Sequence, residues 1–269
     1  MKTKETVVLA GIWAAALMIG NLIAGEIHVE SASPIAFQHQ PEPNVSEPEK
    51  TCRFIQNLKD GKKQTLVAYG TSLTDAGAWV SGLQNALDAT YPGLVNVINS
   101  GASAKCSIWG LENLQEQVLS KKPDAVFIEF SVNDAYFNYK LTPAECKGNI
   151  EAIAARILKE NPDCEIILMV MNPMVGIHSE RRPELEKFND TYRDTAKEKG
   201  FLLIDHYPAW LKILNSDRKE FDLLVPDGAH PNTEGCRRIV TPNILKAIGI
   251  PCTTLVNGTP NFEDPKTYK

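Results

Sequence analysis

No run of more than two adjacent lysines or arginines occurs in the 269 residues, and the formal net charge is -5. The chain thus lacks the basic footprint with which proteins hold a phosphate backbone, which argues against nucleic acid as a partner. It has no C-x-x-C and no Cys/His group at zinc spacing, so no metal centre is expected. Neither G-x-G-x-x-G nor a Walker A pattern is present, which removes the usual nucleotide fingerprints. The G-x-S-x-G elbow is also missing, which disfavours an α/β-hydrolase fold. Beyond residue 25 there is no long apolar stretch that would serve as a lipid-docking lid.

What the chain does have is an ordinary globular composition, 43% hydrophobic and 23% charged, in a length that suits one α/β domain and a leader. Lys2 and Lys4 precede an uncharged stretch at 6–25 rich in Leu, Ile, Val and Ala. A positive start before an apolar run reads as a secretory signal, here residues 1–25. Its length also reaches that of an uncleaved anchor, the one route by which a membrane would be involved. Residues 26–50 carry Pro34, Pro41, Pro43 and Pro48 among Ser, Gln and Glu, the composition of a linker. The domain is then expected at 51–269, in an exported protein. Six cysteines (Cys52, Cys106, Cys146, Cys164, Cys236 and Cys252) permit up to three disulfides there, with Cys52 and Cys252 placed to join the domain's ends.

Within the domain, apolar runs at 65–69, 94–99, 125–130, 165–171 and 201–205 alternate with stretches of helical period. The latter lie at 78–91, 108–121, 142–160, 183–200 and 232–248. Val126-Phe127-Ile128 and Ile166-Ile167-Leu168 are continuous triplets rather than alternating ones, as in strands covered on both faces. Five such strands with intervening helices predict a doubly wound parallel sheet.

The most informative segment is Pro226-Asp227-Gly228-Ala229-His230-Pro231-Asn232. A carboxylate three residues before an imidazole, on a loop stiffened by prolines, suits a general base whose tautomer must be held. Such a base needs a nucleophile, and Ser72 follows the first strand in Tyr69-Gly70-Thr71-Ser72-Leu73-Thr74. Asn99-Ser100-Gly101-Ala102-Ser103 follows the second strand and Ser131-Val132-Asn133-Asp134 the third. Taken singly, each is as well read as a cap or a turn. Together, each block lies at a strand end, where open α/β sheets bind ligands.

This set resembles the SGNH (GDSL-type) hydrolase family, over roughly residues 65–248. The resemblance implies a three-layer α/β/α fold with a five-stranded parallel sheet, flavodoxin-like. It implies Ser72 as nucleophile, His230 as base and Asp227 as its orienter. The oxyanion donors it implies are Ser72, Gly101 and Asn133, with no metal or organic cofactor. The family's Gly-Asp-Ser-Leu stands here as Gly70-Thr71-Ser72-Leu73, which leaves nucleophile and base in place. The activity implied is that of a serine esterase, with short acetyl esters of carbohydrate favoured. A lipase or lysophospholipase on the same site and a non-catalytic binding protein on a degenerate scaffold are the alternatives. The partner is then a small-molecule or polysaccharide ester.

Rival groups read as structural. His206 beside Asp205 is the other candidate base, but neighbours on a strand point oppositely. His178 falls in a loop after the fourth strand. Glu129 is expected to partner a buried polar group, Asp134 to cap or turn, and Asp75 to cap a helix. Met169, Met171 and Met174 read as filler. Trp109, Tyr136, Phe137 and Tyr139 follow the second and third strands, either stacking on a sugar ring or packing the core.

Overall fold

A computed structural model describes residues 52–251. The leader at 1–25, the linker at 26–50 and Cys252 lie outside the described residues. Five strands form one sheet: β1 (Gln64–Gly70), β2 (Val95–Asn99), β3 (Ala125–Glu129), β4 (Glu165–Val170) and β5 (Leu202–Asp205). All pair in parallel, in the order β2-β1-β3-β4-β5. The hydrophobic triplets explain this placement. Residues Leu66–Tyr69, Val126–Ile128 and Ile167–Met169 are wholly buried in the three central strands. Truncating one such side chain, Phe127→Ala for instance, costs about 3–5 kcal/mol.

Parallel neighbours require crossovers, and right-handed crossovers decide which face each helix covers. The chain steps outward from β1 to β2 through Trp79–Thr90, then reverses through β3, β4 and β5. Pro143–Glu160 and Leu185–Lys199 therefore cover the opposite face, where they pack on each other. Thr241–Ala247 returns to lie against Trp79–Thr90. The result is the three-layer α/β/α architecture with flavodoxin-like strand order. The reversal separates the loops after β1 and β3, which opens a crevice at the switch point.

Local chemistry sets the helix ends. Thr142 and Glu145 form a reciprocal capping box ahead of Pro143, so the helix starts one residue beyond the expected 142. The expected helix at 108–121 is broken instead into Ser107–Glu112, Leu114–Gln117 and Leu119–Lys121. At its first break the Asn113 side chain donates to the Trp109 carbonyl at 2.9 Å, competing with the backbone ladder. The last helix begins after Asn232, which caps it, and passes through a π-helical Cys236–Val240. Helices Arg53–Lys59, Tyr207–Ser216 and Arg218–Leu224 are additional to the helical stretches read from the sequence. Cys52, Cys106, Cys146, Cys164 and Cys236 are buried free thiols, so the three-disulfide framework is not built and Cys52 does not staple the domain's ends. Among the described residues no helix is long and apolar enough to cross a membrane.

Candidate active site

The turn that carries Ser72 is set by its neighbours. Ser72 opens a single helical turn, Ser72–Asp75, directly after β1. Thr71, not Asp75, is the cap, its hydroxyl accepting from the Leu73 N–H at 3.2 Å. The helical turn thus starts earlier than the sequence suggests, and the Asp75 carboxylate accepts from Ser103 Oγ at 2.7 Å. Beneath the turn, Glu129 Oε2 accepts from the Thr71 N–H (3.1 Å), the Thr71 hydroxyl (2.9 Å) and the Thr74 hydroxyl (3.2 Å). Burial pushes this carboxyl up to about 8, against the opposing pull of those Thr71 and Thr74 hydrogen bonds. Thr71 therefore fills the place of the family's aspartate with a donor, where a second carboxylate would face a buried glutamate. Asn99, ending β2, ties the same turn by donating to the carbonyls of Thr74 (3.0 Å) and Asp75 (3.1 Å).

The second half of the site comes from residues 225–232. Gly228 adopts φ 81°, the left-handed region open to glycine, and its carbonyl accepts from the Val175 N–H at 2.9 Å. Asn172 donates to the Ala229 carbonyl at 2.9 Å. The loop after β4 thus clamps the Asp-x-x-His segment. Asp227 Oδ1 accepts from the N–H groups of Ala229 (2.9 Å) and His230 (2.7 Å), and Oδ2 lies 2.6 Å from His230 Nδ1. Burial opposes its charge, but hydrogen bonds from the His230 N–H, the His230 ring and the Ala229 N–H outweigh it. The carboxyl is held below the usual aspartate range. An ionised carboxylate at Nδ1 assigns the proton there, leaving Nε2 as acceptor. Nε2 lies 2.8 Å from Ser72 Oγ. Serine, imidazole and carboxylate, 155 residues and more apart along the chain between Ser72 and Asp227, form one hydrogen-bonded line.

A cavity of about 160 Å³ opens beside Ser72 and His230, lined among others by Ala104, Asn133, Tyr136, Tyr139 and Arg182. Asn133 is nearly buried; its Nδ2 donates to the Lys105 carbonyl at 2.9 Å, which uses one of its two amide hydrogens. Gly101 does not join this lining. Its N–H donates to Asn99 Oδ1 at 2.9 Å, and an added Cβ would lie 2.2 Å from the Asp75 nitrogen. Gly101 is small because the turn that carries Ser72 packs on it. The residue of that loop that reaches the cavity is Ala104, held at φ 55°. Its N–H has no acceptor among the described residues, and nothing in its sequence context marks it.

The rivals are structural. His206 is wholly buried, burial pushes its imidazole down to about 3, and it faces Asn243. Asp134 Oδ1 accepts from the Ser107 N–H at 2.7 Å, capping a neighbouring helix rather than its own. Met169 and Met171 are core, whereas Met174 lines the cavity. Trp109 packs on Tyr69 (5.9 Å between ring centres), while Tyr136 and Tyr139 reach the site and Phe137 stands 56% exposed beside them. His178, read as a bland loop residue, is a cavity wall 6.4 Å from the His230 ring. Among the described residues no group of three His, Cys, Asp or Glu side chains could hold a metal.

A model of the GDSL-like Lipase/Acylhydrolase family matches residues 67–238. An acetylxylan esterase of Geobacillus stearothermophilus is 25% identical over 218 residues, which is 71% of this chain and 97% of that protein. The crystal structure of an acetylxylan esterase from Geobacillus stearothermophilus superposes with a TM-score of 0.60 at 23% identity, covering 71% of this chain and 96% of the solved one. An alpha/beta hydrolase enzyme from the metagenome of Lake Arreo, Spain, matches with a TM-score of 0.60 at 23% identity, over 70% of this chain and 96% of its own. Both structures share the fold. Because the family match spans both the turn that carries Ser72 and the loop that carries Asp227 and His230, the chain belongs to the GDSL-like lipase/acylhydrolase family and is a carboxylic ester hydrolase.

Proposed function

We propose that the protein is an exported serine esterase that removes short acyl groups, acetyl above all, from carbohydrate. The observation that carries the reading is the line Ser72–His230–Asp227, with contacts of 2.8 and 2.6 Å, beside a cavity of about 160 Å³. Ser72 Oγ attacks the ester carbonyl while His230 Nε2 takes its proton, and the imidazolium is steadied by Asp227. Negative charge gathers on the carbonyl oxygen and is met by the Ser72 N–H, the Ala104 N–H and Asn133 Nδ2–H. His230 returns the proton to the leaving alcohol, and water then hydrolyses the acyl-enzyme by the same route.

The cavity supports a short acyl group. Pockets for drug-sized ligands run to about 300–1,000 Å³, and this one is roughly half the lower bound. Tyr136 and Tyr139 in its wall offer aromatic surface to a sugar. The resemblance to an acetylxylan esterase supports the same substrate class, and the apolar leader at 1–25 supports export.

A fluorophosphonate probe should label the wild type and leave Ser72→Ala unlabelled; labelling that persists in the variant removes Ser72 from its role. Acetylated saccharides should turn over faster than nitrophenyl esters of increasing chain length. A rate that climbs with acyl length would favour the lipase reading.

A further inference from the structure

Arg182 lies in the loop between β4 and the helix Leu185–Lys199, and its guanidinium is drawn into the cavity wall rather than into solvent. Its Nε donates to the Val132 carbonyl at 2.7 Å, Nη1 to the His178 carbonyl at 3.3 Å and Nη2 to Asn133 Oδ1 at 3.3 Å. The cation also sits 5.2 Å above the centre of the Tyr136 ring. Among the described residues no carboxylate lies within ion-pair distance of it. A partly buried arginine without an anion is costly, and the fold retains it against the edge of the candidate oxyanion hole.

The direction of these bonds has a consequence for Asn133. A guanidinium only donates, so the amide atom facing it must be the oxygen. The Lys105 carbonyl only accepts, so the atom facing it at 2.9 Å must be the amide nitrogen. Between them the two contacts leave the Asn133 amide one orientation, with a second N–H that neither of them uses. An amide whose oxygen accepts from a cation is also a stronger donor at nitrogen, because chained hydrogen bonds polarise one another. We propose that Arg182 is a positioning residue of the oxyanion hole, which grips the carbonyl end of Asn133 so that its Nδ2–H is presented to the developing oxyanion. The inference rests on the reading of Asn133 as an oxyanion donor.

The test is a double-mutant cycle on Asn133→Ala and Arg182→Met, read as kcat, KM and Tm with a small neutral acetate ester. Arg182→Met should lower kcat by about 10- to 100-fold, less than the loss of the donor itself, with KM within about threefold. In the Asn133→Ala background the same change should lower kcat by no more than about threefold, because the group it positions is gone. Arg182→Lys, which keeps the charge but not the fork, should fold and fall between wild type and Arg182→Met. Should Arg182→Met fail to fold, Arg182→Lys carries the cycle. Additive losses would overturn the proposal, as would a lower Tm with unchanged kcat. A change in KM alone would overturn it too, pointing to contact with substrate. If Asn133→Ala itself keeps normal kcat, the oxyanion reading of Asn133 fails first. If Asn133→Ala is impaired and Arg182→Met is not, only the positioning role fails.

Discussion

Replacing Asp227 with asparagine separates the two tasks of that carboxylate. Oδ1 accepts two backbone N–H groups, at 2.9 and 2.7 Å, and Oδ2 faces His230 Nδ1 at 2.6 Å. The amide of an asparagine has one oxygen, and the two N–H donors hold it at the Oδ1 position. Turning the amide over would set its NH₂ against both donors and forfeit two hydrogen bonds of about 1 kcal/mol each. The NH₂ therefore faces His230 Nδ1 and donates to it, which moves the ring proton to Nε2. That nitrogen, 2.8 Å from Ser72 Oγ, then has no lone pair for the serine proton. Loss of the correct tautomer in a triad of this kind lowers kcat by about 10⁴, equivalent to about 5.5 kcal/mol at 1.36 kcal/mol per decade. Because both backbone contacts survive, Tm should stay within a few degrees of wild type, at about 2–4 °C per kcal/mol for a domain of this size. Steady-state hydrolysis of an acetate ester and thermal unfolding on one preparation supply both numbers. An Asp227→Asn enzyme within tenfold of wild-type kcat would refute the tautomer reasoning and transfer the orienting role elsewhere.

The two histidines should separate cleanly: His230→Ala should be near-inactive and normally stable, whereas His206→Ala should turn over normally and melt earlier, since His206 is wholly buried core. A swap of those outcomes in the same pair of assays would make His206 the base. Glu129 gives a pH-dependent stability signature. Its carboxyl is raised to about 8 in the fold, so the protonated form is favoured there, and that contribution is present below about pH 4.3 and lost as pH rises through about 8. Glu129→Gln keeps an acceptor for Thr71 and Thr74 but does not titrate, so the wild type should lose Tm relative to the variant between pH 5 and 9. A difference that stays constant across that range would contradict the buried-acid account.

Much of the architecture is written into local pattern. Continuous apolar triplets such as Val126-Phe127-Ile128 suit only strands covered on both faces, and parallel strands of right-handed crossover leave few orders to choose from. Thr142 with Glu145 marks a helix start through two hydrogen bonds within four residues, so it needs no tertiary partner. The spacing of Asp227 and His230 is local in the same sense, since a three-residue loop alone brings carboxylate to ring. Ser72, at the end of a strand, was likewise a candidate before any fold was known. The Gly101 N–H donates to Asn99 Oδ1, two residues away, and the backbone of Asp75 occupies the space a side chain would need. Ala104 carries no sequence signal because its left-handed backbone is imposed by the loop, not by its methyl group. Arg182 carries no sequence signal and His178 reads only as a loop residue; the return of that loop sets them against Asn133 and His230. By itself the sequence determined the periodic elements and the candidate reacting residue types, both of which follow from steric and hydrogen-bonding preferences over a few neighbouring residues. Only the tertiary structure decided which N–H groups remain unspent at the cavity, because a donor is available to substrate only after every closer acceptor in the fold has been counted.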